Sequence, residues 1–566
     1  MKRSRDLRQL AGRLLAVCIL LSACSAPSTP PAASATPAAT HPLPSPSATL
    51  PAEPTLPPET TPTSIPPASV WVAPSVPSAL RASLQLAPGA EMAAQQDDAA
   101  YWLQAGSSDV LSRWVYALVA PFPTVLDGVS AAELRAAWAG DGSGPFAGQP
   151  LLMDESTRAV FSAMWGEPGA AAVSVVPASA LLEQAWKDQP AWAIVPFEAL
   201  EPRWKVLAVE GISPLHKDFD LAAYPLAVPF ALQPNPAGGI QPGSPVQSLL
   251  PTNRDPAKMT EVITTGVTAL VRATAETMRR KGNTYPAQDI GEILQAADIT
   301  HVSNEIPFSP DCPLPDAWQK ELVFCSQPAY MELLEAIGAD VVELSGDHFG
   351  DWGAEAMNYT LDLYRQKDIA YYGGGYNFED ARKPLLIEHN GNRLAFIGCN
   401  AKGRGYATAR ENNPGAILCN LDWLSSEVAR LRADGYLPIV TFQHIEYYTY
   451  VPQPKLIEDF HRVAAGAAIV QGSQAHQPHG MEFYNGAFIH YGLGNLFFDQ
   501  MMYINPFDQV VPGTRWETID RHVFYNGRHI GTELLTAMLE DYARPRPMTA
   551  EERTTFLTQL FAESGW

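Results

Sequence analysis

The stretch Gln471–Gln500, QGSQAHQPHGMEFYNGAFIHYGLGNLFFDQ, decides how this chain is read. It places His476 and His479 just beyond a short apolar strand, Ala467 to Val470. Open α/β folds carry their chemistry there, outside the carboxyl ends of the strands. Two imidazoles sharing a tight, Pro-constrained turn suit a metal ion, because neutral nitrogens at close spacing converge on one cation without rearranging the backbone. Taken alone, the pair fits a solvated surface loop better.

Working outward, apolar strands alternate with helices over the whole region after the polar, Pro/Gly-rich boundary Gln233–Ala257, the signature of a sheet covered on both faces. Strands are expected at Glu261–Thr265, Ala297–Val302, Asp340–Leu344, Arg393–Ile397, Leu437–Phe442, Ala467–Val470 and Ala487–Tyr491. Helices fit Ala269–Lys281, Ala329–Gly338, Ala354–Lys367 and Leu424–Asp434. Polar clusters follow strand after strand: Ser303-Asn304-Glu305, Ser345 to Gly353 with Asp347, His348 and Asp351, then Gln443-His444-Ile445-Glu446, then Gly472 to His479. Any one is a plausible solvated loop. Four in order, each directly after an apolar strand, predict a shared site along one sheet edge.

The chain opens on Lys2, Arg3, Arg5, Arg8 and Arg13, an apolar run Leu14–Leu21, and Leu21-Ser22-Ala23-Cys24. That is a secretory signal too short to span a bilayer. Its small residues before the cysteine resemble a bacterial lipobox, which implies cleavage before Cys24, lipidation of its thiol and anchoring to the outer face of the cell membrane. Residues 24–79, dominated by Pro, Ser, Thr and Ala, read as a disordered tether. The remaining length, roughly 490 residues, calls for two domains. These are 80–246 and 258–507, with 508–566 as a C-terminal extension that adds strands and a closing helix, Ala550–Ser564. A net charge of −22 and a sequence pI near 4.9 argue against a nucleic-acid partner, since backbone phosphates demand a basic face.

In the first domain, Trp114–Thr124 and Ala191–Phe197 read as strands, and Ser130 with Glu133 forms a capping box opening the helix that ends at Trp138. The order of these elements resembles one lobe of periplasmic solute-binding proteins of the phosphate-binding type, with no Ser/Thr-Gly phosphate cradle evident. Beyond Cys18 and Cys24, Cys312, Cys325, Cys399 and Cys419 remain. An even number in an oxidising compartment favours disulfides. Cys312 with Cys325 would close a short loop and Cys399 with Cys419 a longer one; the other pairings stay open.

The clusters resemble the CapA family, poly-γ-glutamate capsule biosynthesis proteins similar in fold to calcineurin-type metallophosphoesterases. Ser303-Asn304-Glu305, Gly346-Asp347-His348 with Asp351-Trp352-Gly353, His444-Ile445-Glu446, His476-Gln477-Pro478-His479 and Leu493 to Gln500 carry the match, from about Met259 to Gln500. Gly373 to Asn377 and Ala381 to Pro384 extend it. The resemblance implies an α/β sandwich preceded by a smaller α/β domain. It implies one or two divalent ions, Mn, Fe, Zn or Mg, with Glu305, Asp347, His444, His476 and His479 as ligands. His348 would act as general acid or electrostatic stabiliser beside Asp351, and Asn304, Arg272, Glu446 and Asn495 would contact substrate. Where the family has Gly-Asp this chain has Gly266-Val267, so one metal-holding carboxylate is missing, while Asp347 stands in place of an asparagine. Two functions follow: a surface-anchored metal-dependent hydrolase or transferase-like factor acting on an anionic polymer, or a non-catalytic lipoprotein that binds a polymer or small anion. Tyr447, Tyr448, Tyr450 and Trp352 suggest sugar stacking, against the commoner role of rings packing a strand end.

Overall fold

The computed structural model describes residues 68–566 apart from 147, 238–242, 404, 406 and 505–509. The expected signal, the lipidated Cys24 and most of the tether lie outside the described residues. The strand Ser69–Val72 pairs in parallel with Tyr101–Ala105, and the helix Ser78–Ala82 follows it. The strand falls inside the stretch read as tether and the helix begins in it, so the first domain begins earlier than composition placed it. The local reason is Val70-Trp71-Val72, an apolar run that a sheet buries despite its Pro-rich surroundings.

The N-terminal lobe is built on a mixed sheet. Its central strand, Val110–Pro121, lies between Ala227–Pro234 and Trp192–Pro196 and is antiparallel to both. The capping box at Ser130 and Glu133 opens the helix Ala131–Trp138. Trp114, Tyr116, Trp138, Phe161 and Trp192 fill the core.

Two sheets form the C-terminal lobe. One runs Ala370–Tyr372, Val341–Glu343, Ile299–Asn304, Met259–Thr268, Trp516–Tyr525, Arg528–Glu540, Arg544–Pro547. The other runs Leu385–His389, Asn392–Asn400, Leu437–Gln443, Ile469–Gln471, Ala487–Leu493, Pro478–Tyr484. Strand alternation sorts the side chains. In Met259–Thr268, buried along its whole length, Ile263 joins the helices Arg272–Lys281, Met331–Ala336 and Gly353–Gln366 on the outer face. Its neighbour Val262 instead meets Phe396, Ile439 and Phe488 of the second sheet. The helices Leu421–Ala433 and Pro454–Ala464 cover that sheet's outer face. The result is a four-layer α/β sandwich, the class expected from near-continuous apolar strands.

The tail adds strands and a closing helix, Ala550–Glu563, as expected: Trp516–Tyr525 pairs antiparallel with Met259–Thr268, and Arg528–Glu540 and Arg544–Pro547 carry the first sheet onward. Two sequence expectations change. His479 does not share a turn with His476: it is the second residue of the strand Pro478–Tyr484, whose Pro478 occupies the first position, where a missing N–H is tolerated. The boundary stretch Gln233–Ala257 contains a strand, Val246–Ser248, paired with Gln85–Leu86. Both proposed disulfides, Cys312–Cys325 and Cys399–Cys419, are formed.

Candidate metal centre at the sheet rim

Parallel strands deliver their C-terminal ends to one rim. Asn304 ends one strand and Glu305 follows it; the strand Val341–Glu343 leads into Gly346-Asp347-His348. From the second sheet, Asn400 precedes Lys402, Gln443 precedes Glu446, and Gln471 leads into Gln474 and His476. The segments touch because Gly346 has no side chain: a Cβ there would lie 2.8 Å from the Glu305 carbonyl oxygen and 3.0 Å from Gln474 Oε1.

Two trios of ligand-type side chains share Glu305: Glu305, Asp347 and His348, and Glu305, Glu446 and His476, with their nearest ligand atoms all within 4.8 Å of one another in each trio. His476 is oriented from behind. Its Nδ1 bonds Asn495 Oδ1 at 2.9 Å, the Asn495 amide donates to the His476 and Thr514 carbonyls, and Phe498 stacks on the ring at 4.9 Å. Nε2 is left facing Glu446 Oε2 at 3.9 Å, the arrangement by which an outer partner fixes a ligating imidazole. His348 is held in the same way, Nδ1 bonding Asp351 Oδ2 at 2.7 Å. Burial opposes its charged form, but Asp351, Glu305 and Asp347 outweigh burial and push it up to about 9.

Burial raises the Glu305 carboxyl, with His476 and His348 working against it, and its Oε1 is buried without a hydrogen-bond partner. Burial acts the same way on Glu446, where His476 and Lys402 prevail and hold it below the ordinary carboxylate value. Lys402 brings an ammonium group to the site. Its Nζ lies 2.8 Å from Asp347 Oδ2 and closer still to Glu446 Oε1, while Gln443 Nε2 donates to Asp347 Oδ1 at 3.0 Å.

Of the residues singled out in the sequence, the structure gathers Glu305, Asp347, His348, Glu446 and His476, with Asp351 and Asn495 behind them. His444 and His479 are elsewhere. They line a cavity of about 10 Å³ with Phe442, Leu456 and Tyr491, room for no more than one water. His444 Nε2 bonds Asp459 at 3.1 Å, and His479 Nδ1 bonds the Thr449 carbonyl at 2.5 Å; burial brings His479 down to about 4. Arg272 is engaged by Asp499, Nη2 to Oδ1 at 2.5 Å, and lies over the Phe324 and Phe498 rings, which in turn pack against His348 and His476. Asn304 donates to the Ile306 carbonyl and the Tyr364 hydroxyl. Val267 is fully buried at rim level, paired with Ser303 and Asn495, so no carboxylate enters from that strand.

Two residues escaped the sequence reading. Lys402 lies in a loop with no recognisable spacing. Gln474, 1% exposed, has both amide atoms buried and unpartnered beside Glu305, a costly state in a closed interior. Its place in the polar cluster after the strand Ile469–Gln471, two residues before His476, was the available signal.

Residues 261–500 match the family model described as Bacterial capsule synthesis protein PGA_cap. The capsule biosynthesis protein CapA of Bacillus anthracis is 26% identical over 237 residues, covering 40% of this chain and 57% of that protein. The PGA biosynthesis protein CapA of Bacillus subtilis (strain 168) is 25% identical over 224 residues, 39% of this chain and 58% of that protein. The chain thus spans less than three fifths of the length of these curated relatives. Among solved structures, the NAD nucleotidase of Haemophilus influenzae aligns with a TM-score of 0.30 and 10% identity, covering 53% of this chain and 56% of that one. A phosphate transport receptor from Vibrio cholerae aligns with a TM-score of 0.22 and 13% identity, covering 25% of this chain and 70% of that one. Among the described residues no helix is long and apolar enough to cross a membrane.

Proposed function

We propose that residues 261–500 act as a CapA-type region and that the protein works at the cell surface in the synthesis, export or attachment of an anionic capsule polymer such as poly-γ-glutamate, a reading supported by the match of those residues to the capsule synthesis family model. In this reading the rim cluster is its metal-assisted centre and Cys24 its lipid anchor. The observation that carries the proposal is the convergence of Glu305, Glu446 and His476, each with a ligand atom turned toward the others and His476 oriented by Asn495. Carboxylate and imidazole donors in this mix suit Mn²⁺, Fe, Zn²⁺ or Mg²⁺. Such an ion, when bound, would polarise a substrate oxygen and lower the pKa of its water.

The chain's own groups supply the rest. His348 is positioned by Asp351 with Nε2 as its free nitrogen, so it can exchange a proton with an attacked or leaving oxygen. Lys402 offsets the charge of Asp347 and Glu446, which would otherwise repel an anionic polymer. Val267 favours the second reading, a non-catalytic binder, because the Met259–Thr268 strand brings no carboxylate to the rim.

Deleting the gene in its host should reduce surface-attached polymer, and a His476→Ala copy should fail to restore it. The purified protein should bind Mn²⁺ and hydrolyse a phosphate ester in its presence, with both losses of at least ten-fold in His476→Ala. If the His476→Ala copy restores polymer fully, the rim is not the working centre. Absence of both Mn²⁺ binding and hydrolysis, with the polymer defect intact, leaves the binding reading.

A further inference from the structure

The two trios are not equally open. Asp347 has both oxygens engaged, Oδ1 by Gln443 at 3.0 Å and Oδ2 by Lys402 at 2.8 Å. In the other trio every member keeps a loose atom: Glu305 Oε1 is buried and unpartnered, His476 has given only Nδ1 to Asn495, and Glu446 Oε2 accepts a long 3.5 Å bond from Tyr448 while Lys402 engages Oε1. The Gln474 amide, unpartnered at both ends, borders the same spot across Gly346.

From this asymmetry we propose that Lys402 is a built-in cation occupying the place of a second ion, so that the rim takes a single divalent ion, at Glu305, Glu446 and His476. The inference rests on the metal-assisted reading above and adds to it a fixed ion count. Charge supports it. With the His348–Asp351 pair counted together as adding no net charge, Glu305, Asp347 and Glu446 bring three negative charges when ionised, which one divalent ion and one ammonium balance, whereas two divalent ions beside the same ammonium would leave an excess of positive charge in a partly buried site.

The ammonium is placed by the fold. Cys399 and Cys419 tie together the ends of the loop that carries Lys402, Cα to Cα 4.9 Å apart. Asn400 Oδ1 accepts from the Lys402 backbone N–H at 3.0 Å, and Ala401 N–H donates to the Gln443 carbonyl at 2.6 Å. The side chain therefore starts from a pinned backbone and reaches both carboxylates at once. An ion entering the first trio would have to displace it from Asp347. The second trio needs no such displacement.

Mn²⁺ titration of the full chain, followed by calorimetry, by metal analysis after desalting and by electron paramagnetic resonance, tests this directly. Wild type should take one Mn²⁺ with the signal of an isolated ion, and Lys402→Arg should do the same. Lys402→Met should gain a second Mn²⁺ at least ten-fold tighter than any further binding to wild type, with a spin-coupled signal; Lys402→Gln provides the same comparison should the methionine variant fail to fold. Two Mn²⁺ in wild type overturns the proposal, as does an unchanged count of one in both folded neutral variants. No Mn²⁺ in wild type but one in Lys402→Met overturns the single-ion proposal, and with it the metal-assisted reading of the natural chain. No Mn²⁺ in any variant overturns both.

Discussion

The C-terminal lobe holds two collections of histidines and acids, and only one of them is built to meet a ligand. Between the sheets, His490 and Asp520 are both fully buried and bonded at 2.7 Å. Gln471 Nε2 donates to the same Asp520 oxygen at 3.0 Å, and His522 is held between Thr264 and Thr532. His490, Asp520 and His522 sit in mid-strand and Gln471 ends its strand; they bond one another between the sheets, although His490 Nε2, Asp520 Oδ1 and Gln471 Oε1 are buried without a hydrogen-bond partner. At the rim, the same residue types sit just past strand ends, carboxylates outnumber cations, and the loose atoms of Glu305, Gln474 and His476 face a common space. The composition is shared; position along the strand separates structural polarity from a site that can bind.

If that distinction is right, breaking the interior should cost stability and leave ion binding alone, while breaking the rim should do the reverse. The largest effect is expected for Asp520→Ala. It strips His490 and Gln471 of a buried acceptor, and removing one partner of such a pair costs about 3 to 5 kcal/mol. Urea unfolding should show that loss while the folded variant keeps its Mn²⁺ affinity. A folded Asp520→Ala variant that no longer binds Mn²⁺ would tie the two regions together.

Next in size, replacing both Cys399 and Cys419 by serine should lower stability by about 3 kcal/mol, the scale for closing a loop of this length. Because that loop carries Lys402, the variant should also take up additional Mn²⁺, as Lys402→Met does. Equal Mn²⁺ counts with and without the disulfide would show that the loop holds its place unaided. On the rim side, Asn495→Ala frees His476 Nδ1 and should weaken Mn²⁺ binding by about 10- to 100-fold, the usual penalty for losing a ligand's outer partner. An affinity within two-fold of wild type would remove His476 from the ion's shell.

How much of this was legible follows from the same contrast. The rim was readable because apolar strands end abruptly in polar clusters, and Glu305, Asp347, His348 and His476 each follow such an end. His479 misled because Pro478 looks like a turn in sequence, whereas pairing with the strand Ala487–Leu493 turns the next side chain toward Thr449. Lys402 lay in a Gly-rich loop whose destination is set by a disulfide and a carbonyl, neither visible as periodicity. The interior histidines stayed hidden because His301, His490 and His522 sit within runs that otherwise read as plain strands. The place of Trp516–Tyr525 beside Met259–Thr268 was out of reach as well, since antiparallel pairing across some 250 residues leaves no local pattern.

The smallest effect belongs to a single interior ring and depends on pH. His301 is fully buried, its Nε2 bonded to the Tyr372 hydroxyl at 2.8 Å and its ring stacked on Phe396 at 6.0 Å. Burial brings it down to about 3, against about 6.5 in the unfolded chain. Below pH 6.5 the unfolded state therefore binds a proton that the folded state refuses. This group costs nothing extra above that pH, and its cost grows by about 1.4 kcal/mol per unit as pH falls toward 3. In His301→Phe, which keeps the stacking partner and leaves Tyr372 its bond to Thr441, the stability lost between pH 7.5 and pH 5 should be about 2 kcal/mol smaller than in wild type. Urea unfolding at the two pH values measures that difference of differences, which is insensitive to the constant cost of the substitution. Identical losses in the two proteins would mean that His301 gains a proton in the folded state, and the interior would then share the rim's openness to charge.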